Sequence, residues 1–171
     1  MPQILTIIGA IVLGLGALVT AFLLGWRAKS PLVLGPIIAL SKRFMNPMQM
    51  RSAGTPGAYA GIIRHRGRVS GTAYETPVGI VVDGASLLVA LPYGTRAQWL
   101  RNVLAAGTAT VVHEGRTYRV DAPELIPMAG VAGRFSTSDQ GLFRWMRVDQ
   151  CLRLRNLDAG ADAAEAGVRA A

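Results

Sequence analysis

The residues best equipped for chemistry lie between Arg64 and Asn102. Arg64, Arg66 and Arg68 alternate with His65 and Gly67, and Ser70 and Gly71 follow. Such a run suits an anionic ligand, because guanidinium groups and glycine-rich backbone both favour negative charge. It equally suits a solvated, charged turn. Other chemistries have less to stand on. Cys151 is the single cysteine, and His65 and His113 are widely separated, so no zinc-ligand spacing exists. A lone cysteine also rules out an internal disulfide, which agrees with a reducing compartment. There is no Walker loop, no GxSxG and no HExxH.

The elements that must position these residues are legible. Tyr59 to His65 reads as a first strand. Tyr74 to Val82 is β-branched and apolar, with Tyr74, Thr76, Val78, Ile80 and Val82 on one face. Leu87 to Leu91 is a short apolar run, and Asp83-Gly84 between the two predicts a hairpin. Pro77 lacks an N–H, so the strand is at an edge or bulged there. Thr95 to Gln98 reads as a capping box for a helix from about Arg96 to Ala106, with Gly107 as its stop. Trp99, Leu100, Val103 and Leu104 form its apolar face. Thr108 to His113 and Thr117 to Val120 make a second hairpin, with His113 at a surface strand end. Pro123 to Ser136 reads as loop and short helix. Leu142, Phe143, Trp145 and Met146 gather on a further short helix. Cys151 to Leu157 is the last strand, with Leu152 and Leu154 inward and Arg153 and Arg155 outward.

Ahead of these strands the chain has another character. Ile4 to Leu24 carries no charge over 21 residues, enough at about 1.5 Å per residue to cross a core of roughly 30 Å. A cleaved signal peptide is the competing reading. It wants a basic leader and a shorter apolar core, whereas no Lys or Arg precedes Ile4 and Arg27 and Lys29 follow the run. An uncleaved single-pass anchor is therefore expected, with the rest of the chain on the cytoplasmic side. Formal net charge is +8, and eight cations precede Glu75, the first acidic residue. Those in the first half suit anionic lipid headgroups. No nucleic-acid module accompanies them, so a nucleic-acid partner is not expected. Pro31 to Leu40 is too short to span and is broken by Pro36; with the basic, Met-rich stretch to Met50 it reads as an interfacial segment. Ser52 to Gly57 reads as a linker. The expected organisation is an anchor over 1–27, a juxtamembrane segment and linker over 28–57, a folded domain over 58–157 and a disordered tail over 158–171.

Arg68, Ser70, Gly71, Tyr74, Pro77, Asp83, Gly84, Trp99 and Asn102 fall in an order that resembles the deazaflavin-dependent nitroreductase and quinone reductase family, which binds coenzyme F420. The resemblance covers roughly residues 58 to 157. It implies a mainly β fold with helices (α+β), a split β-barrel of the FMN-binding or pyridoxamine-oxidase-like kind, here behind an N-terminal transmembrane helix. By the same resemblance, Arg68, Val69 and Ser70 form the turn that holds the cofactor's phosphate. Tyr74, Thr76, Pro77, Ala90, Leu91, Pro92 and Tyr93 border the deazaflavin ring, and Gln98, Trp99, Arg101 and Asn102 face it from the helix. Val69 stands where some members carry Lys or Arg, and Arg64 or Arg66 is available to compensate. The Leu91-Pro92-Tyr93-Gly94 loop replaces a serine-bearing one. Phe135, Phe143 and Trp145 stand in a region where some members carry tyrosines.

The implied function is a membrane-anchored, F420H2-dependent oxidoreductase that passes a hydride to an apolar acceptor, with menaquinone the natural guess. The catalytic residues stay unassigned. The alternative is a non-catalytic accessory or binding subunit of a membrane complex that keeps the barrel. FMN, haem or no cofactor at all are the alternatives to F420. Membrane lipid, a quinone-like acceptor, a membrane-protein partner and a second copy of the chain are the candidate partners.

Overall fold

A computed structural model describes residues 2–159. The chain divides into two compact units, 1–40 and 41–171. The assignment of 158–171 to a tail falls outside the described residues from position 160 on.

In the first unit, α1 (Pro2–Arg27) turns into α2 (Pro31–Leu40). The turn passes through Lys29 at φ 54°, with the Ser30 N–H donating to the Gly25 carbonyl at 2.9 Å. Ile7–Arg27 is long and apolar enough to cross a membrane, with a mean hydropathy of 2.6. Leu13, Leu18 and Leu24 stand uncovered on it. By length and composition this helix suits a membrane anchor or a signal sequence. Pro36 does not break α2 as expected. The helix runs through it, because a proline removes only one backbone donor and the remaining turns carry the helix on.

The second unit begins with a π-helical turn, Ser41–Met45, and a single helical turn α3 (Asn46–Gln49). Six strands follow: β1 (Ala60–Arg66), β2 (Ala73–Asp83), β3 (Ser86–Ala90), β4 (Thr108–His113), β5 (Arg116–Pro127) and β6 (Gln150–Asn156). They close into an antiparallel barrel in the order β1-β2-β3-β6-β5-β4. Two helices decorate it, α4 (Gln98–Ala106) and α5 (Thr137–Trp145). This is the split-barrel α+β architecture that the resemblance implies.

Period-2 alternation builds the core. Ile63, Leu87, Val89, Val111, Val120, Leu152 and Leu154 point inward and are fully buried, and Leu100 and Val103 of α4 close one end. Arg153 and Arg155, alternating with the last two strand leucines, reach Glu124 and Asp121 on the outer face. The Asp83-Gly84 hairpin forms as expected, with Gly84 at φ 56° and Asp83 paired to Ser86. At Pro77 the strand pairs only with β1, since β3 joins from Ile80 onward. The missing N–H therefore falls where β2 is locally an edge.

Several boundaries differ from expectation. The capping box at Thr95 does not form: α4 starts at Gln98 behind Ala97, whose backbone is extended and which offers no side-chain cap. Gly107 does end the helix, at φ 69°. Leu104 is exposed rather than part of the buried face. On β2, Ile80 is buried, while Tyr74 and Val82 on the same face are exposed. β5 continues to Pro127 through what reads as a loop. A register shift between Asp121 and Glu124 takes up Pro123 and the positive φ of Ala122, and proline is tolerated at such a bulge.

The glycine-rich stretch at 52–57 is also a packed element. Ala53 is buried against Ala60 and Ile62, with Met50 and Val112 around them. The Gly54 N–H donates to the Ala60 carbonyl at 2.7 Å, and its carbonyl accepts from Gly115 at 2.6 Å. The Gly57 N–H donates to Glu114 at 2.8 Å. This cover explains why β1 is buried on both faces.

Candidate functional site

The basic turn after β1 is built by backbone bonds across its neck. The Gly67 N–H donates to the Thr72 carbonyl and the Gly71 N–H to the Gly67 carbonyl, each at 2.8 Å. Gly71 sits at φ 66°, the left-handed region that glycine occupies without strain. A Cβ on Gly67 would fall 2.5 Å from Ser70 Oγ and 3.1 Å from the Tyr74 ring, so a larger residue there would push both side chains aside. Ser70 Oγ accepts from the Thr72 N–H at 3.3 Å, which leaves its own proton to donate. Val69 projects into solvent, 92% exposed.

Arg68 is held by the helix opposite. Its Nη1 donates to Gln98 Oε1 at 2.9 Å and to Asn102 Oδ1 at 3.0 Å, and its backbone N–H donates to the same Asn102 oxygen at 3.2 Å. The two hydrogens of Nη1 are thereby committed, and the edge formed by Nε and Nη2 is the one suited to a bidentate phosphate. Arg64 is drawn off by Glu75 at 2.7 Å, so it does not compensate for Val69. Arg66 keeps its charge while donating to the Gly71 carbonyl at 3.2 Å, inside the turn.

Behind Arg68 lies a buried polar chain that sequence reasoning missed. Asn102 Nδ2 is 3.3 Å from His65 Nδ1, His65 Nε2 is 3.2 Å from Thr76 Oγ1, and the imidazole stacks on Tyr74 at 5.7 Å. Burial pushes the His65 pKa down, partly offset by a hydrogen bond with the Arg66 backbone, so the ring is held neutral. The available signal was alternation: His65 follows Ile63 at the strand period and shares its inward face.

Farther along β2 a cleft of about 280 Å³ opens. Gly79, Val81, Ala90 and Pro92 form its barrel wall, with Phe135 and Phe143 from the α5 region opposite. The two phenylalanine rings meet edge to face at 5.2 Å. Polar groups sit at Tyr59, Asp139 and His113. Asp139 is fixed by the α5 cap: its N–H donates to Ser136 Oγ at 3.1 Å, and its Oδ2 accepts from the Ser136 hydroxyl at 2.7 Å. Desolvation first, then the charge of Asp139 and a hydrogen bond to it, raise the pKa of Tyr59, with Tyr93 adding to the effect. His113 is not the surface residue expected. It is partly buried, its Nδ1 is enclosed without a hydrogen-bond partner, and burial lowers its pKa against the pull of Glu114.

The residues proposed from sequence thus fall into groups. Arg68, Tyr74, Thr76, Gln98 and Asn102 meet in the polar chain, and Ala90 and Pro92 line the cleft. Leu91 is buried in the barrel core, so only its backbone is left to border a ligand. Trp99 packs against the same core as a partly buried support. Pro77 is half-buried on β2, and Tyr93 and Arg101 are exposed. Tyr59, His65, His113 and Asp139 are the additions that only the folded chain shows. Among the described residues no cluster of His, Cys, Asp and Glu is fit to hold a metal.

A closed antiparallel barrel with a basic turn at one end of β2 and a cleft toward the other is of the split-barrel class. Residues 41–131, more than half the chain, match the family model described as F420H(2)-dependent quinone reductase. The chain belongs to that family, and F420-dependent reduction is the chemistry the family defines. No curated protein matches it in sequence. Among solved structures, one described as an F420 reductase is 15% identical, with 62% of this chain and 90% of that chain covered and a TM-score of 0.41. An F420-H2 dependent reductase is 11% identical, with 57% and 94% covered and a TM-score of 0.44. A haem-binding protein from Mycobacterium smegmatis is 12% identical, with 63% and 50% covered and a TM-score of 0.40.

Proposed function

We propose that this chain is a membrane-anchored reductase that uses reduced F420 to reduce an apolar, quinone-type acceptor, with menaquinone as the natural example. The observation that carries the reading is the arrangement along β2. Thr76 belongs to the polar chain behind Arg68 and Ile80, on the same face of the strand, to the cleft lining, and an extended strand separates them by about 13 Å. That length suits an elongated cofactor with an anionic tail and a flat ring.

The residues present fit such a group. Arg68 offers a pre-oriented guanidinium edge, Ser70 a hydroxyl donor, and Gly67 and Gly71 a close backbone approach. Gly79, Val81, Ala90, Pro92, Phe135 and Phe143 supply the apolar part of the cleft, beside the polar Tyr59, His113 and Asp139. Reduced F420, when bound, supplies the hydride. The protein's part is to hold two flat molecules in contact in a dry place. Tyr59, Asp139 and His113 are the polar side chains at the cleft available to an acceptor.

The anchor supports the choice of acceptor. Ile7–Arg27 has the length and hydropathy of a span, and the cations Arg27 and Lys29 after it favour a cytoplasmic barrel by the positive-inside rule. A span inserted in a bilayer would raise the local concentration of any lipid-dissolved acceptor at the barrel tethered to it. The membrane lipid, the acceptor and either a second copy of the chain or a membrane partner complete the proposed surroundings.

The test is a titration of the detergent-purified full chain with oxidised F420, followed by fluorescence, and then a menaquinone-reduction assay. Saturable binding weakened by Arg68→Ala, together with quinone turnover, is the expected result. Absence of binding by a folded protein would overturn the reading in favour of a non-catalytic membrane subunit.

A further inference from the structure

His65 is 8% exposed and Asn102 6% exposed, and the two buried side chains touch. Asn102 Oδ1 accepts twice from Arg68, so the amide presents its nitrogen to the imidazole. Nδ1 must then accept. The one proton of the neutral ring sits on Nε2 and is donated to Thr76 Oγ1. So oriented, the imidazole and the amide link Thr76 to Arg68, with the Arg66 backbone as a further neighbour of the ring.

We propose that His65 is a positioning residue for anion binding: by accepting from Asn102 through Nδ1, it keeps the amide oxygen turned toward Arg68, and it does so only while its ring is neutral. The proposal rests on the reading of Arg68 as the group that grips the cofactor's phosphate. A protonated imidazole carries N–H on both nitrogens. Its Nδ1–H would meet the Asn102 NH2 donor to donor. Turning the amide over would satisfy the ring but would aim NH2 at a guanidinium, which has no acceptor. Arg68 would lose its hold on Asn102 at both its backbone N–H and Nη1, and keep only the Gln98 contact on α4.

Among the described residues, the groups facing the ring include no carboxylate to favour its charged form. Tyr74 and Thr76 face it from β2 and Asn102 from α4, with the Arg68 cation beyond the amide. On its own strand, Arg66 contributes a backbone bond, and the Arg64 guanidinium is paired with Glu75.

The experiment uses the full chain in detergent with two readouts. The first is affinity for oxidised F420 by calorimetry, at pH 8 and at pH 5.5, for the parent protein, His65→Asn, His65→Leu and Arg68→Ala. Asparagine places a neutral oxygen near the position of Nδ1 and does not titrate. The expected result is a loss of roughly tenfold for His65→Leu at pH 8, the size of one hydrogen-bonded contact. His65→Asn should stay close to the parent at pH 8 and lose less than the parent on going to pH 5.5. The second readout needs no ligand: histidine ring nitrogen shifts and Arg68 guanidinium exchange in the free protein. The Nε2–H tautomer, with Arg68 protection lost in His65→Leu and restored in His65→Asn, supports the proposal. An Nδ1–H tautomer, or equal Arg68 protection in all variants, overturns it. If Arg68→Ala leaves F420 affinity unchanged, the phosphate assignment fails by itself, and the free-protein readout still decides whether His65 positions Arg68.

Discussion

The side-chain oxygen of Asn102 accepts from Arg68 at two points, its backbone N–H at 3.2 Å and its Nη1 at 3.0 Å. One helix residue thereby fixes both the path of the basic turn and the aim of its guanidinium. Gln98, one helical turn earlier, takes the other hydrogen of the same nitrogen. Asn102→Leu should lower stability by about 1–3 kcal/mol, because it leaves buried polar groups unpaired. Asn102→Asp should instead raise the His65 pKa, since a carboxylate against Nδ1 favours the charged ring. Chemical denaturation checks the first expectation and an NMR titration of His65 the second.

Gly54 tests the packed turn ahead of β1. Its φ is +79°, and a Cβ there would lie 2.9 Å from a Val112 methyl and 3.2 Å from the Val112 carbonyl. Gly54→Ala should therefore destabilise the barrel unit by about 1–3 kcal/mol, from backbone strain and overpacking together. A stability equal to the parent's in denaturant titration would show that the turn at 52–57 is a free linker.

Acid should weaken the fold in two stages. His65 and His113 have pKa values lowered by burial, so the unfolded chain binds more protons at these sites than the folded one. Their contribution is fully present above about pH 6.5 and is lost as pH falls through the depressed folded values. Asp121 and Asp158 are lowered chiefly by hydrogen bonds from Arg155 and Arg119, so their share persists above about pH 4 and is lost below it. Denaturant midpoints across pH 3 to 8 should fall continuously toward acid. A midpoint higher at pH 5 than at pH 7.5 would contradict this sign.

Cys151 should behave as a core residue. It is fully buried on β6 between β3 and β5, and burial pushes its thiol up to about 11. The thiolate is the reactive form, so iodoacetamide at pH 8 should leave Cys151 unmodified in the native protein and label it on unfolding. Rapid native labelling, read by mass spectrometry, would show that the strand opens locally.

The sequence by itself determined the elements whose signals are local. The apolar run behind α1, the Asp83-Gly84 hairpin, the Gly107 stop and the inward leucines of β6 are all present in the fold. Each depends on residues within a few positions of one another, through a period, a turn glycine or a stretch of uncharged side chains. The arginine-glycine turn was legible for the same reason. The tertiary structure alone decided what depends on barrel closure. It assigned Glu75 to Arg64, and Gln98 and Asn102 to Arg68, across separations of 11, 30 and 34 residues. It set Phe135 and Asp139 opposite Gly79. It also let β5 run past Pro123, where a bulge absorbs what local propensity reads as a break. His65 shows the difference most plainly. Its alternation with Ile63 marks it as inward, but the partners that turn a buried histidine into part of a site come from β2 and α4, and no local pattern encodes which residue of a distant helix will face a given strand.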